Sequence, residues 1–252
     1  MGRTIAIANQ KGGVGKTTTA VNLGAAFAVA EKRTLVVDAD PQSNATRGLG
    51  IGPDPERPSI YDCLLDGGPG SLHLLETEIP FLRLLPSERD LIGAEVELIG
   101  EPDRERRLAR ALQPLKGECD YILIDCPPSL GLLTLNALVA ADSLLIPVQC
   151  EYLALEGLSE VLATWRRVAG TLNTSLTLEG ILLTMFDERT NLSRQVSEEI
   201  RQHLGAQVFR TVIPRNIRLG EAPSFGRPII TYDIRSRGAE AYMGLAREII
   251  ER

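Results

Sequence analysis

The sequence predicts an α/β fold in which a doubly wound, mostly parallel β-sheet carries helices on both faces. Short apolar runs alternate with amphipathic stretches, an order that is typical of β-then-α connections in a parallel sheet. Several runs are apolar on both faces, as strands of a sheet buried on both sides are. A glycine-rich segment follows the first run directly and precedes a helical pattern.

Seven short apolar segments are predicted as strands, at residues 4–8, 34–38, 82–85, 121–125, 143–148, 178–185 and 208–213. Six amphipathic segments are predicted as helices, at residues 17–30, 104–115, 132–140, 155–172, 192–204 and 238–252. Residues 51–70 are rich in Gly, Pro and Asp and are predicted to form a surface excursion.

The bulk composition is that of an ordinary globular chain. It has 252 residues, of which 44% are hydrophobic and 24% charged, so residues 1–252 are expected to form one large domain. The N-terminal segment lacks the long apolar core of a secretory signal, and no run approaches about 18 apolar residues, so a cytoplasmic location is expected. The four cysteines form no C-x-x-C pair, and we expect reduced thiols without a zinc site.

Charge is distributed unevenly along the chain. A net charge of −6 argues against nucleic-acid binding by the protein as a whole. Residues 189–237, however, contain nine arginines and four acidic residues, a local net charge of +5. This asymmetry indicates an interaction surface for a polyanion.

The strongest motif is the glycine-rich segment at residues 11–18. Consecutive glycines let backbone N–H groups surround a phosphate at the N-terminus of the following helix, where the helix dipole also favours negative charge. This pattern is a P-loop, and it predicts an ATP site in which Lys16 reaches the β- and γ-phosphates and the Thr17 hydroxyl binds Mg²⁺. The predicted phosphate-binding residues are Lys11, Gly12, Gly13, Val14, Gly15, Lys16, Thr17 and Thr18.

The motif departs from the ordinary P-loop, because Gln10 stands where the consensus has glycine and Lys11 is added at its front. In this form it resembles the K-G-G-x-G-K-[ST] signature of the deviant Walker A ATPases, and within them the ParA/Soj chromosome and plasmid partitioning proteins. The resemblance covers essentially the whole chain. It implies an ATP-bound homodimer in which Lys11 reaches the phosphates of the partner subunit and Gly12 lies where the subunits approach most closely.

Carboxylates end two of the predicted strands, at the edge of a parallel sheet where ligands bind. Asp38 and Asp125 are expected to hold Mg²⁺ through water, Asp125 as the acidic residue of a Walker B motif. Asp40 is expected to orient the attacking water, which makes Lys11, Lys16 and Asp40 the predicted catalytic residues. The alternative is that Asp40 and Asn44 only cap a turn and the next helix.

The adenine-side loop is predicted from the sequence Val-Ile-Pro-Arg-Asn at residues 212–216. By resemblance, Pro214 packs on the adenine ring, Asn216 bonds its edge, and Met185 lines the same pocket. Plain turn chemistry is the alternative explanation for a Pro-x-Asn sequence.

Two arginine-containing segments resemble the nonspecific DNA-binding segments of Soj-like proteins. Arg189 and Arg218 are the predicted DNA-binding residues, with Arg215 and Arg227 in support. Arginine grips phosphate oxygens in a bidentate manner and needs no base edge. The alternative is an ordinary solvated surface.

The resemblance implies a Mg²⁺- and ATP-dependent homodimer that binds nonspecific double-stranded DNA on the nucleoid, not a membrane. A ParB-type centromere-binding partner is expected to stimulate hydrolysis to ADP. Intrinsic turnover is expected to be slow, since no arginine finger is evident near the motifs. The segment at residues 151–157 resembles a family loop near the dimer interface.

Three other functions remain open at this point. A MinD-like membrane switch shares the ATPase core, but residues 238–252 lack a basic apolar face. An iron–sulfur reductase needs paired interfacial cysteines, and Cys119 and Cys126 are poorly placed for a shared cluster. A nucleotide-gated scaffold without hydrolysis is disfavoured by Asp40.

Overall fold

The computed structural model describes residues 2–252, apart from the side chain of Leu72. Eight strands are present in this part of the chain and belong to a single sheet. They are β1 (Arg3–Ile7), β2 (Thr34–Asp38), β3 (Leu75–Glu76), β4 (Leu82–Leu85), β5 (Tyr121–Asp125), β6 (Ser143–Gln149), β7 (Thr177–Phe186) and β8 (Val208–Pro214).

The strand order is β3-β4-β2-β5-β1-β6-β7-β8. Every neighbouring pair is parallel except β3 and β4, where the two-residue edge strand β3 runs antiparallel. The chain moves outwards from β1 in both directions, as a doubly wound sheet does. The predicted fold class is confirmed, and all seven predicted strands are present within two residues of their predicted ends.

The helices cover both faces of this sheet. They are α1 (Lys16–Val29), α2 (Asn44–Gly48), α3 (Ile60–Asp66), α4 (Leu91–Glu97), α5 (Arg107–Leu112), α6 (Leu132–Ala140), α7 (Ala154–Thr171), α8 (Asn191–Leu204), α9 (Ile217–Glu221), α10 (Ile229–Tyr232) and α11 (Arg237–Ile250). No helix among the described residues is long and apolar enough to cross a membrane.

Two predicted segments differ from the structure. Residues 51–70, expected as a surface excursion, contain α3, which buries Ile60, Cys63 and Leu64 and begins with a capping box between Ser59 and Asp62. The predicted helix at residues 104–115 is divided into a 3-10 turn, the short α5 and a second 3-10 segment that contains proline at its start. Proline has no N–H to continue the helical hydrogen bonding.

The core lies on both faces of the sheet because successive residues of each strand point in opposite directions. In β1, Ile5 and Ile7 pack with α1 and α11, whereas Ala6 packs on the other side with α6 and α7. Both side-chain sets are fully buried. All four cysteines are free and buried, in agreement with the sequence.

Gly24 fixes how closely α1 approaches the sheet. A Cβ atom at this position would lie 2.7 Å from Cγ2 of Val36 in β2, a side chain with little rotamer freedom. We therefore predict that Gly24→Ala lowers the free energy of unfolding by about 1–3 kcal/mol through overpacking. Denaturant unfolding provides the measurement.

Gly170→Ala is the matched control, since a Cβ atom there meets nothing within 4 Å on the exposed face of α7. It should stabilise the protein by about 0.5–1 kcal/mol through helix propensity. Equal effects of the same sign for the two substitutions would contradict the packing argument.

Candidate functional site

The glycine-rich loop joins the end of β1 to the start of α1 at the carboxyl edge of the sheet. Gly13 and Gly15 have φ angles of 74° and 92°, a region that L side chains rarely adopt. Gly15 is the N-cap of α1, and its carbonyl accepts the first helical hydrogen bond from the Thr19 N–H at 2.9 Å. The loop therefore directs free backbone N–H groups at the end of a helix, where an anion is favoured.

Neighbouring strands hold this loop in place. The Asn9 side-chain amide donates to the Pro147 carbonyl at 2.8 Å, and its oxygen accepts from the Lys11 N–H at 3.0 Å. The Thr184 hydroxyl donates to the Val14 carbonyl at 2.8 Å. These contacts tie the loop to β6 and β7, so its shape does not depend on a ligand.

Lys16 is the first residue of α1 and is 6% exposed. Its ammonium group donates to the Lys11 carbonyl at 3.1 Å, which folds the side chain back over the loop. Burial lowers the pKa of Lys16, while the nearby charges of Asp125 and Asp40 oppose that shift. The ammonium group is thus held beside the space that the loop surrounds.

Asp38 and Asp125 end adjacent strands and are paired in register across β2 and β5. Asp38 accepts hydrogen bonds from the Thr46 N–H at 2.8 Å, the Thr46 hydroxyl at 2.7 Å and the Asp40 N–H at 3.2 Å. Burial raises the pKa of Asp38 to about 6 despite these donors. Its carboxylate is satisfied by protein groups alone.

Asp125 is different, because both of its carboxylate oxygens are buried without a hydrogen-bond partner among the described residues. Burial raises its pKa well above the ordinary value, and the charge of Asp38 raises it further. Thr17 and Lys16 lie close enough to lower it in part, yet neither completes a hydrogen bond to either oxygen. An unpartnered buried carboxylate is costly and indicates a missing cationic or donor ligand.

This donor set fits Mg²⁺ bound together with a nucleotide. Thr17, Asp38 and Asp125 offer only oxygen atoms, which Mg²⁺ prefers, and the ion commonly takes one or two carboxylates with phosphates and water. Within residues 2–252, no cluster of three or more His, Cys, Asp or Glu side chains forms a site that holds a metal by itself.

Asp40 follows β2 and is 6% exposed. Its Oδ1 accepts from the Gln42 N–H at 2.9 Å, and its carbonyl accepts from the Ser87 hydroxyl at 2.8 Å. Helix α2 begins at Asn44, with Ser43 as an N-cap that makes no side-chain capping bond. Asp40 thus makes the contact expected of a residue that caps a turn, and its charge opposes the lowering of the Lys16 pKa.

A cavity of about 200 Å³ opens beside the loop at Gly15 and Thr18. Met185, Pro214 and Asn216 all line it, so the structure brings the three predicted adenine-side residues together. Asn216 also caps α9 by accepting from the Leu219 N–H at 3.3 Å, which is the turn chemistry expected of it. The cavity is contiguous with the phosphate loop through shared lining residues.

Lys11 and Gly12 are exposed at the tip of the loop. The Lys11 ammonium group forms an ion pair with Glu151, in the segment after β6. A Cβ atom at Gly12 would meet nothing within 4 Å, and its φ angle is not in the left-handed region. Among residues 2–252, no contact therefore requires glycine at position 12.

The predicted DNA-binding arginines are all exposed but lie in different places. Arg189 and Arg215 line one cleft of about 340 Å³. Arg218 in α9 contacts Glu221 of the same helix at 2.9 Å and Asp233, which follows α10, at 3.6 Å. Arg227 lines a separate cavity of about 380 Å³ next to Thr17 and Thr18.

The fold and this site define a P-loop nucleotide-binding protein of the deviant Walker A class. The family model described as an AAA domain matches residues 2–178. The chromosome partitioning protein ParA of Myxococcus xanthus is 58% identical over 252 residues, covering 100% of this chain and 89% of the relative. The sporulation initiation inhibitor protein Soj of Bacillus subtilis is 57% identical, covering 99% and 98% of the two chains.

Among solved structures, a cobyrinic acid a,c-diamide synthase from Mycobacterium smegmatis with a bound ATP analogue and magnesium is similar, with a TM-score of 0.88. It is 39% identical, and the match covers 100% of this chain and 95% of that one. The chain belongs to the ParA/Soj family of chromosome partitioning ATPases.

Sequence reasoning missed the residues that support the site from a distance. Thr46, which holds Asp38, lies eight residues beyond it in α2, and Thr184, which holds the loop, lies in β7. Neither threonine belongs to a recognisable motif. Each makes its hydrogen bond only because the fold brings separate segments of the chain together. Glu151 was placed near an interface by resemblance, but its pairing with Lys11 was not predicted.

Asp38 and Asp125 are both buried, but among the described residues only Asp38 accepts hydrogen bonds, so the two residues should affect stability in opposite ways. Asp125→Asn removes an unpartnered buried charge and should raise the free energy of unfolding of the nucleotide-free protein by about 1–3 kcal/mol. The same change should weaken Mg-ADP binding. Thermal unfolding with and without Mg-ADP measures both effects.

Asp38→Asn is the control, because it turns an amide N–H₂ towards groups that already donate to this side chain. It should destabilise the nucleotide-free protein. Stabilisation by both variants, or by neither, would contradict the assignment of Asp125 as the open ligand position.

Proposed function

We propose that this protein is a ParA/Soj-type partitioning ATPase: a Mg-ATP-dependent homodimer that binds DNA nonspecifically and is reset by hydrolysis. The observation that carries the proposal is the convergence of the glycine loop, buried Lys16 and unpartnered Asp125 at one edge of the sheet. Residues 1–252 would act as one P-loop domain, since a single sheet carries every strand of residues 2–252.

The nucleotide would lie along the loop, with its phosphates on the N–H groups of residues 12–18. Lys16 would contact the β- and γ-phosphates from its buried position. The base would enter the cavity lined by Met185, Pro214 and Asn216, which adjoins Gly15 and Thr18. A cavity of about 200 Å³ beside the α-phosphate end of the loop supports this orientation.

Thr17 would bind Mg²⁺ directly, and Asp38 and Asp125 would hold it through water. When bound, Mg²⁺ neutralises charge on the β- and γ-phosphates of ATP. The unpartnered oxygens of Asp125 support this role. The magnesium and nucleotide in the Mycobacterium smegmatis structure support it for a related fold.

Asp40 would orient the attacking water, and Lys11 and Lys16 would stabilise charge on the transferred phosphoryl group. Asp40 is fixed by the Gln42 N–H and by the Ser87 contact to its carbonyl, so its side chain has a defined direction. Catalysis by positioning and electrostatics alone is consistent with slow turnover. We expect a steady-state rate well below about 1 s⁻¹ without a partner.

DNA binding would use Arg189 and Arg218, with Arg215 and Arg227 in support, and would place the protein on the nucleoid. Few phosphates can be contacted by one subunit, so a dimer that presents two arginine surfaces would bind much more tightly. A ParB-type centromere-binding protein would stimulate hydrolysis and release. The name of the M. xanthus relative, a chromosome partitioning protein, supports a role in partitioning.

The function predicts nucleotide-dependent DNA binding. Asp40→Ala should retain ATP and bind a nonspecific duplex tightly with Mg-ATP, but weakly with Mg-ADP or without nucleotide. The DNA-binding constant should fall steeply as the salt concentration rises, because the slope of this dependence reports how many phosphates the protein contacts. Binding in none of the three states would remove the DNA role, and binding of anionic vesicles instead would favour a MinD-like switch.

The dimer is tested independently at Gly12. Gly12→Val should leave thermal unfolding unchanged, since a Cβ atom there meets none of residues 2–252 within 4 Å, but should abolish ATP-dependent dimerisation in light scattering. Gly117→Val is the matched control, because its Cβ is equally unobstructed at the opposite edge of the sheet. ATP-dependent dimers of Gly12→Val would exclude a close approach at this position.

A further inference from the structure

Three arginines from separate segments line the cleft of about 340 Å³ described above, which we call the arginine cleft. Arg189 follows β7, Arg215 follows β8, and Arg237 is the first residue of α11. Sequence reasoning included the first two and did not select Arg237. The cleft also contains the carboxylates of Asp187 and Glu188.

The two carboxylates occupy part of this positive surface. Asp187 accepts a bidentate pair of hydrogen bonds from Arg189, at 2.9 Å from Nε and 2.7 Å from Nη2. Glu188 lies 3.6 Å from Arg237, and both side chains are more than 70% exposed, so this ion pair contributes little. No salt bridge to Arg215 is present among residues 2–252.

Arg237 is poorly explained by the stability of its own helix. A cation in the first turn opposes the helix dipole. The N-terminus of α11 is already capped by the Ser236 hydroxyl, which accepts from the Ala239 N–H at 3.1 Å. The Arg237 side chain is 77% exposed. Its position at the cleft is therefore better explained by a ligand.

We propose that Arg237 binds a DNA phosphate together with Arg189 and Arg215. In the free protein, Asp187 occupies the guanidinium group of Arg189 until a DNA phosphate displaces it. A phosphodiester offers two oxygens in the same arrangement as a carboxylate, so it can replace Asp187 on the guanidinium group. This inference rests on the proposed DNA-binding function. It adds Arg237 to the DNA-binding surface, and it assigns to the Asp187 carboxylate the role of a competitor that lowers the affinity for DNA.

The contact with Arg189 holds the pKa of Asp187 at about 2, so the competing carboxylate is charged at neutral pH. The exchange is therefore one anion for another on the same arginine, without proton uptake. Asp187 and the incoming phosphate would repel each other, which lowers DNA affinity below what the arginines alone provide.

The arginine cleft shares a wall with the base cavity. Pro214 and Arg215 line both, and the Arg215 N–H donates to the Phe186 carbonyl at 2.9 Å. Met185, which lines the base cavity, lies two residues before Asp187. The DNA-facing arginines are thus attached directly to the segments that would surround the base.

Arg237→Ala tests the new contact in the Asp40→Ala background with Mg-ATP and a nonspecific duplex. We expect binding about tenfold weaker at low salt. The slope of log binding constant against log salt concentration should become shallower by about 0.9 for each phosphate contact that is lost, one in each arginine cleft of the dimer. Arg237→Lys should fall between, because it keeps the charge and loses the fork. Arg167→Ala, which removes an exposed arginine from α7, is the charge control and should remain near the parent.

Asp187→Asn tests the competitor and keeps the Oδ1 atom that accepts from the Arg189 N–H at 3.1 Å. It should bind DNA at least about threefold more tightly, since the charge-assisted bidentate pair is lost. Glu198→Gln removes the same charge from α8 outside the cleft and should have a smaller effect. Thermal unfolding of each variant should match the parent.

The inference is overturned if Arg237→Ala behaves as Arg167→Ala, or if Asp187→Asn binds no more tightly than Glu198→Gln. When the parent binds DNA and only these differences are absent, the proposed function stands and the inference fails alone. When the parent binds no DNA, both fail. Loss of binding to anionic phospholipid vesicles in Arg237→Ala, with DNA binding intact, would assign the cleft to lipid phosphate instead.

Discussion

The site depends on the adjacency of β1, β2 and β5 in the middle of the sheet. Parallel pairing in register sets Asp38 beside Asp125, and Ile7 at the end of β1 beside Asp125 as well. The loop that follows β1 leads into α1 and brings Lys16 near the charges of Asp125 and Asp40. A shift in register of one residue would turn the carboxylates to the other face of the sheet.

The two aspartates show how a fold can hold two like charges close together, ready for a cationic ligand. Asp38 is fixed by Thr46, which in turn accepts from the Ser87 N–H at 3.1 Å, so the end of β2 is rigid. Asp125 is equally buried but unpartnered. Such a group weakens the free protein and strengthens its complex with a cation and phosphates, a trade of stability for binding that is common at functional sites.

Features of the fold and the site could be predicted from the sequence where residues close together in the chain determine them. The strand ends and the positions of the glycine loop and of Asp38 and Asp125 in the fold were predicted correctly, because apolar runs and consecutive glycines determine backbone structure within a few residues. The roles predicted for these residues stay predictions. The short helices α3 and α4 were missed, since α3 lies in a segment rich in Gly and Pro and its burial of Ile60 depends on tertiary packing. Thr46, Glu151 and Arg237 act through neighbours distant in sequence, and no local pattern marks them.

In the proposed function, the glycine loop both holds a nucleotide and contacts a second subunit, and Lys11 offers the most direct test of this double role. The measurement is a crystal structure of Asp40→Ala with Mg-ATP. We expect two copies facing each other at Gly12, with each Lys11 released from Glu151 and its ammonium group on the phosphates of the partner's nucleotide. A nucleotide-bound structure in which Lys11 stays paired with Glu151, and no second copy covers the loop, would contradict it.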